Sequence, residues 1–139
     1  MNSSPLPTVS VVIPCYNVEN DLPHQLEALV PQLGPEDEVV LVDNRSTDGT
    51  AELLRALAEQ DPRLRGVPAM DKPGVNHARN CGILAARHRT ILICDADDRV
   101  HAGWVDAFRS AFSDSGVAGG AAIPVDGNGR RVGEDLGLH

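Results

Sequence analysis

Aromatic side chains are scarce, with one Trp, one Tyr and two Phe making up 3% of 139 residues. An aromatic-filled interior is excluded, so any core must be built from Val, Leu, Ile and Ala. No apolar stretch approaches the roughly 18 residues of a membrane-spanning helix. The opening MNSSPLPT has neither the basic patch nor the apolar run of a secretion signal. Cations are also short, 12 Lys and Arg against 20 Asp and Glu, for a net charge of −8. That balance argues against nucleic acid as a partner, which calls for a broad basic face. A nucleotide ligand stays open, because it needs only a few local cations or a metal ion. Cysteine is limited to Cys15, Cys81 and Cys94, with no C-x-x-C spacing. A disulfide framework is disfavoured, and reduced thiols in a cytoplasmic protein are expected. Nor does a G-x-G-x-x-G follow the first apolar run, which disfavours a dehydrogenase.

What is present repeats one logic. VSVVIPCYN (9–17), EVVLVDNRS (38–46) and TILICDADD (90–98) are short aliphatic runs that end abruptly in polar residues. Unbroken apolar runs of this length suit strands covered on both faces, as in a parallel sheet. Helical patterns lie between them. Leu22, Leu26, Leu29, Val30 and Leu33 share one face, with Pro31 expected to kink or end it. Leu53, Leu54 and Leu57 mark a second helix, with Ser46, Thr47 and Asp48 as candidate N-caps. Val75, Ala78, Gly82, Ile83 and Ala86 outline a third, whose small residues allow close packing on a sheet. Trp104, Val105, Phe108 and Phe112 outline a fourth. Weaker strands are expected near RLRGVPAM and GVAGGAAIPV, and VDGNGRRV reads as a hairpin or loop. Alternating strand and helix predicts an α/β fold with a mainly parallel sheet flanked by helices. The expected layout is a flexible N-terminus over 1–8, one domain over 9–125 and a loop or incomplete region over 126–139.

The three strong runs end in Pro14-Cys15-Tyr16-Asn17, Asp43-Asn44-Arg45-Ser46 and Asp95-Ala96-Asp97-Asp98. In an open parallel sheet these tips share one rim, where ligands bind. Crowded carboxylates there repel one another unless a cation neutralises them. Hard oxygen donors suit Mg2+ or Mn2+, and such an ion holds a diphosphate. The competing reading makes Asp98 the N-cap of a helix beginning near His101. Cys15 and Cys94 read as small core residues. Lys72 reads as a solvated loop lysine, and His77 and His101 as surface or packing histidines.

VSVVIPCYN, VVLVDNRSTDGT, KPGVNHARNCGI and ILICDADD together resemble the family 2 glycosyltransferases, in that family's order and spacing over about 8–112. The resemblance implies a Rossmann-like GT-A fold that binds a nucleotide-diphosphate sugar across its carboxyl edge. It places Pro14, Tyr16 and Asn17 at the nucleotide pocket and Asp43 and Asn44 at the base. Many members carry two acids at this last pair. An amide both donates and accepts, so Asn44 bears on base preference. Arg79 falls near the phosphates or donor sugar. Asp95, with Ala96, falls near ribose or sugar, and Asp95, Asp97 and Asp98 form the metal set. The family's catalytic base is an Asp in a downstream acidic motif, and Asp135 in GEDLGLH is the candidate here, at a much shorter separation from Asp98.

The implied activity is inverting transfer of a sugar to an acceptor hydroxyl, assisted by Mn2+ or Mg2+ at the D-x-D. A UDP-sugar is the favoured donor, with dTDP- or GDP-sugars as alternatives, and the acceptor is left open. The rival reading is a nucleotide-sugar-binding module without its own catalysis, completed by self-association or a partner chain. Metal-dependent phosphatase or nucleotidyl transfer is a third reading. It is weakened because aspartyl-nucleophile phosphatases place the Asp after the first strand, where Pro14-Cys15-Tyr16-Asn17 stands.

Overall fold

The computed structural model describes residues 7–115. Strands β1 (Val9–Cys15), β2 (Glu38–Asp43), β3 (Leu64–Pro68) and β4 (Thr90–Ile93) form one sheet in the order β3-β2-β1-β4. Every pairing is parallel, with Val12 opposite Val40 on one side and Ile93 on the other. All residues of β1 and β2 are buried. Cover on both faces is what makes them unbroken apolar runs rather than alternating ones. Pro14 is tolerated because it lies past the last β1–β4 pair, where the ladder is ending.

Helices α1 (Leu22–Leu29), α2 (Thr50–Gln60), α3 (Val75–Ala85) and α4 (Trp104–Ser115) supply that cover. On one face, Val11, Ile13, Leu41 and Leu92 pack with Leu22, Leu26 and Leu29 of α1, Leu54 of α2 and Trp104 of α4. Trp104 stands edge-on to Phe108 with ring centroids 5.1 Å apart. On the other face, Val12, Val40, Val42 and Ile93 meet Ala78 of α3. As Pro31 requires, α1 stops at Leu29 and a single 3-10 turn, Val30–Gln32, follows. The N-cap of α2 is Gly49 rather than Ser46, Thr47 or Asp48. Asp48 still contributes, accepting the Thr50 N–H at 2.9 Å. Val75, expected on the packing face of α3, is instead 49% exposed.

At the amino edge of the sheet two carboxylates are saturated with donors. Asp37 accepts from the N–H groups of Val9 (2.9 Å) and Gly34 (2.7 Å) and pairs with Arg109. Glu38 accepts from Ser10 Oγ (2.7 Å), the Arg87 N–H (2.7 Å) and Arg65 (3.0 Å). Burial pushes both carboxyls up, but the hydrogen bonds and neighbouring guanidinium groups outweigh it and hold both below their ordinary values. Of the segment expected to form a flexible N-terminus, the Pro7 C=O accepts from Arg109 and Thr8 Oγ1 bonds His88. The expected strand at GVAGGAAIPV, the VDGNGRRV hairpin, the domain limit at 125, the 126–139 region and the packing of the Phe112 side chain lie outside the described residues. Among the described residues no helix is long and apolar enough to cross a membrane.

Two outcomes follow from this packing. A Cβ on Gly82 would overlap Val12 Cγ1 and lie 2.9 Å from Val42 Cγ2, both in the buried strands. Gly82→Ala, which in an exposed helix would stabilise, should here cost about 1–3 kcal/mol in urea unfolding. Asp37 and Glu38 bind protons more weakly folded than unfolded. Their contribution is therefore complete above the ordinary values of 3.8 and 4.5 and is lost as pH falls through the depressed folded values. Unfolding free energy measured from pH 7 downward should drop most steeply below about pH 4. Asp37→Asn should flatten that drop.

Candidate active site

Chain order reverses beside β1. From β1 the chain builds outward through β2 to β3, and α3 then returns it to place β4 on the other side of β1. At such a switch point a crevice opens beyond the carboxyl ends of the strands, here between β1 and β4. A cleft of ≈ 860 Å³ lies there. Of the residues expected at the site, Pro14, Tyr16, Asn44, Arg79, Asp95, Ala96 and Asp97 line it. Asn17, Asp43 and Asp98 do not line it, although they belong to the same three loops. Asp135 lies outside the described residues.

The residues outside the lining hold its walls. Asn17, at a positive φ of 52°, accepts from the N–H groups of Thr47 (2.7 Å) and Asp48 (3.2 Å), which ties the first loop to the second. Asp43 is buried and accepts the Ser46 N–H at 3.2 Å. Asp98 is also buried. It does not cap a helix, because α4 begins only at Trp104, whose N–H bonds His101 C=O.

Asn44 lines the cleft with its amide already engaged. Its Nδ2 donates to the C=O of Ala69 and of Lys72, both at 2.7 Å, and its Oδ1 accepts the Gly74 N–H at 2.9 Å. The side chain therefore sets the path of 69–74, the segment that carries Pro73 and Gly74 to the cleft wall. A carboxylate accepts only and could not donate to two carbonyls. Lys72 itself is exposed, as expected of a loop lysine. His77 bonds Asp71 Oδ1 at 2.7 Å and lies 3.5 Å from Cys81 Sγ, and His101 is exposed.

Arg79 is the buried cation of the site, 5% exposed, with its guanidinium 3.2 Å from Asp95 Oδ1. It reaches the cleft from α3 because Ala78 and Gly82 let that helix sit close to the sheet. Oxygens of Asp95, Asp97 and Asp98 lie within 4.8 Å of one another. The cleft lining also offers exposed apolar surface, with Tyr16 and Val75 59% and 49% exposed. Cys15 is no nucleophile: burial, then the nearby Asp43 charge, pushes its thiol up to about 12. Arg45, at a positive φ of 62°, also lines the cleft; it stood within the polar end of the second run, but no role was assigned to it there. Gln25 of α1 was missed as well. Its signal was a polar residue among Leu22, Leu26 and Leu29 on the buried face of the helix.

The sequence pattern of the family described as Glycosyl transferase family 2 matches residues 10–135. Succinoglycan biosynthesis protein ExoO of Rhizobium meliloti is 37% identical over 121 residues, 87% of this chain and 33% of that protein. The mannosyltransferase PcManGT of Pyrobaculum calidifontis, solved with GDP-Man and Mn2+, superposes with a TM-score of 0.67 at 30% identity. That match covers 81% of this chain and 33% of the other. The glucosyl-3-phosphoglycerate synthase of Mycobacterium tuberculosis, solved with Mn2+, UDP and phosphoglyceric acid, gives 0.60 at 27% identity, covering 72% and 37%. The chain spans about a third of the length of the curated relatives it matches.

Asn44→Asp should leave the buried Ala69 carbonyl and the part-buried Lys72 carbonyl facing a carboxylate, and lower stability by about 1–3 kcal/mol. Thermal unfolding would register the loss, and amide exchange should speed up over 69–74. Unchanged exchange in that segment would contradict the assigned bonds.

Proposed function

Because the chain belongs to glycosyl transferase family 2, we propose that it moves a sugar from a nucleoside-diphosphate donor to an acceptor hydroxyl with inversion at the anomeric carbon. The reading is carried by convergence: a buried arginine, the carboxylates of Asp95 and Asp97, and the exposed side chains of Tyr16 and Val75 line one cleft on the carboxyl edge, with an Asp98 oxygen within 4.8 Å of the other two carboxylates. Each feature matches one part of such a donor. Tyr16 and Pro14 offer a flat apolar surface to a nucleobase. Arg79 holds and orients the diphosphate through charge-assisted hydrogen bonds. Asp95 faces ribose or sugar hydroxyls. The engaged amide of Asn44 acts on the base indirectly, through the wall it fixes.

Asp95, Asp97 and Asp98 fit a divalent metal on two grounds, the closeness of their oxygens and their hard donor chemistry. Mn2+ or Mg2+ bound there would offset charge on the departing diphosphate. Asp97, exposed at the cleft, is the principal ligand, with Asp98 in support. Inversion requires a carboxylate on the far side of the sugar to take the acceptor proton during in-line attack. Asp135 is the residue put forward for that role. The UDP and GDP-Man bound to the two solved relatives support a nucleotide donor, and their Mn2+ supports the metal. A UDP-sugar is the proposed donor, and free thiols at Cys15, Cys81 and Cys94 suit a cytoplasmic setting.

Thermal shift with UDP, GDP, dTDP and their sugars, with and without Mn2+, tests the reading. A ligand at 100 times its Kd stabilises by about 2.7 kcal/mol. A UDP-sugar with Mn2+ should raise Tm, and Asp97→Ala should abolish the metal-dependent part of the rise. Equal shifts with and without Mn2+, in both proteins, would overturn the metal assignment. Binding without release of nucleoside diphosphate would favour a donor-binding module.

A further inference from the structure

Ten residues, 94–103, separate β4 from α4 and hold all three carboxylates of the candidate metal set. Outside helix and ladder, the buried backbone groups of such a loop need other partners. Gln25 supplies two of them. It is fully buried, its Nε2 donates to Asp95 C=O at 2.8 Å, and its Oε1 accepts the Val100 N–H at 2.9 Å. One side chain thus grips the loop on both sides of Asp97 and Asp98. Two turns further on, Gln32 repeats the pattern. It donates to His101 C=O at 3.0 Å and accepts from the Val105 N–H at 3.0 Å. A spacing of seven puts both amides toward one side.

We propose that Gln25 is a positioning residue, whose amide holds the acidic loop in the shape that binds a divalent cation. The inference rests on the metal-assisted reading above. Gln25 itself touches neither donor nor ion. Its role is specific to an amide, because a carboxylate cannot donate to Asp95 C=O and a leucine can neither donate nor accept. Repulsion would otherwise spread Asp95, Asp97 and Asp98 apart. With the backbone pinned, the oxygens are gathered before an ion arrives, so binding does not have to order the loop.

The experiment titrates Mn2+ alone into the full chain and reads free ion by its EPR signal, for wild type and Gln25→Leu. The variant should bind Mn2+ about 10- to 100-fold more weakly. Its affinity for UDP without metal should fall by much less, because Asp95 alone of the three carboxylates is assigned to the donor while all three are assigned to the ion. A folded Gln25→Leu with wild-type Mn2+ affinity overturns the inference while leaving the metal reading standing. No Mn2+ binding by wild type overturns the metal reading, and this inference with it. Should Gln25→Leu not fold, amide exchange in the wild type decides. The Val100 N–H should be protected far beyond Asp97 in the same loop, and exchange at the same rate overturns the inference.

Discussion

Repulsion among carboxylates at the carboxyl edge is the constraint around which this molecule is arranged. Asp95, Asp97 and Asp98 keep their oxygens within 4.8 Å, and like charges that close separate unless something holds them. Both layers of the fold contribute to holding them. From α3, on one face of the sheet, Arg79 brings a cation to Asp95. From α1, on the other face, Gln25 pins the backbone at Asp95 and Val100. The sheet between them is buried on both sides, so neither support can shift without disturbing close-packed aliphatic side chains.

The two edges of the sheet use one residue type for opposite ends. At the amino edge Asp37 and Glu38 are buried and ringed by backbone and guanidinium donors, which makes them fixed parts of the scaffold. At the carboxyl edge Asp97 stays exposed beside a buried Asp98, close enough to share an ion. The difference follows from topology. Helices run from the carboxyl rim back to the amino rim, so loops crowd the first with their starts, and the switch of direction beside β1 opens a gap among them. Asn17 and Asn44 brace the loops on the β2 side of that gap, each by holding backbone of a neighbouring loop.

Much of this was legible in order along the chain. Unbroken aliphatic runs marked β1, β2 and β4, and Leu spacing marked α1, because burial on two faces or one stripe writes itself into local periodicity. Small residues foretold the close approach of α3, and Gly82 is where the contact occurs. The family motifs located the loops, since their residue types are tied to binding chemistry. Less legible was what each polar side chain touches. Asn44 read as a base contact, yet its amide is engaged by Ala69, Lys72 and Gly74, which arrive from a later part of the chain. Val75 fitted the apolar face of α3 by spacing but stands at the first turn, beyond the sheet, where it meets the cleft.

Sequence alone therefore determined the layers, the parallel strands and the loops that hold the chemistry, because hydrophobic period and motif spacing are local properties. Tertiary structure decided which polar groups remain available and which are bound to other backbone. Hydrogen bonds such as Gln25 to Val100 join residues 75 apart, and nothing in the neighbourhood of either announces the other.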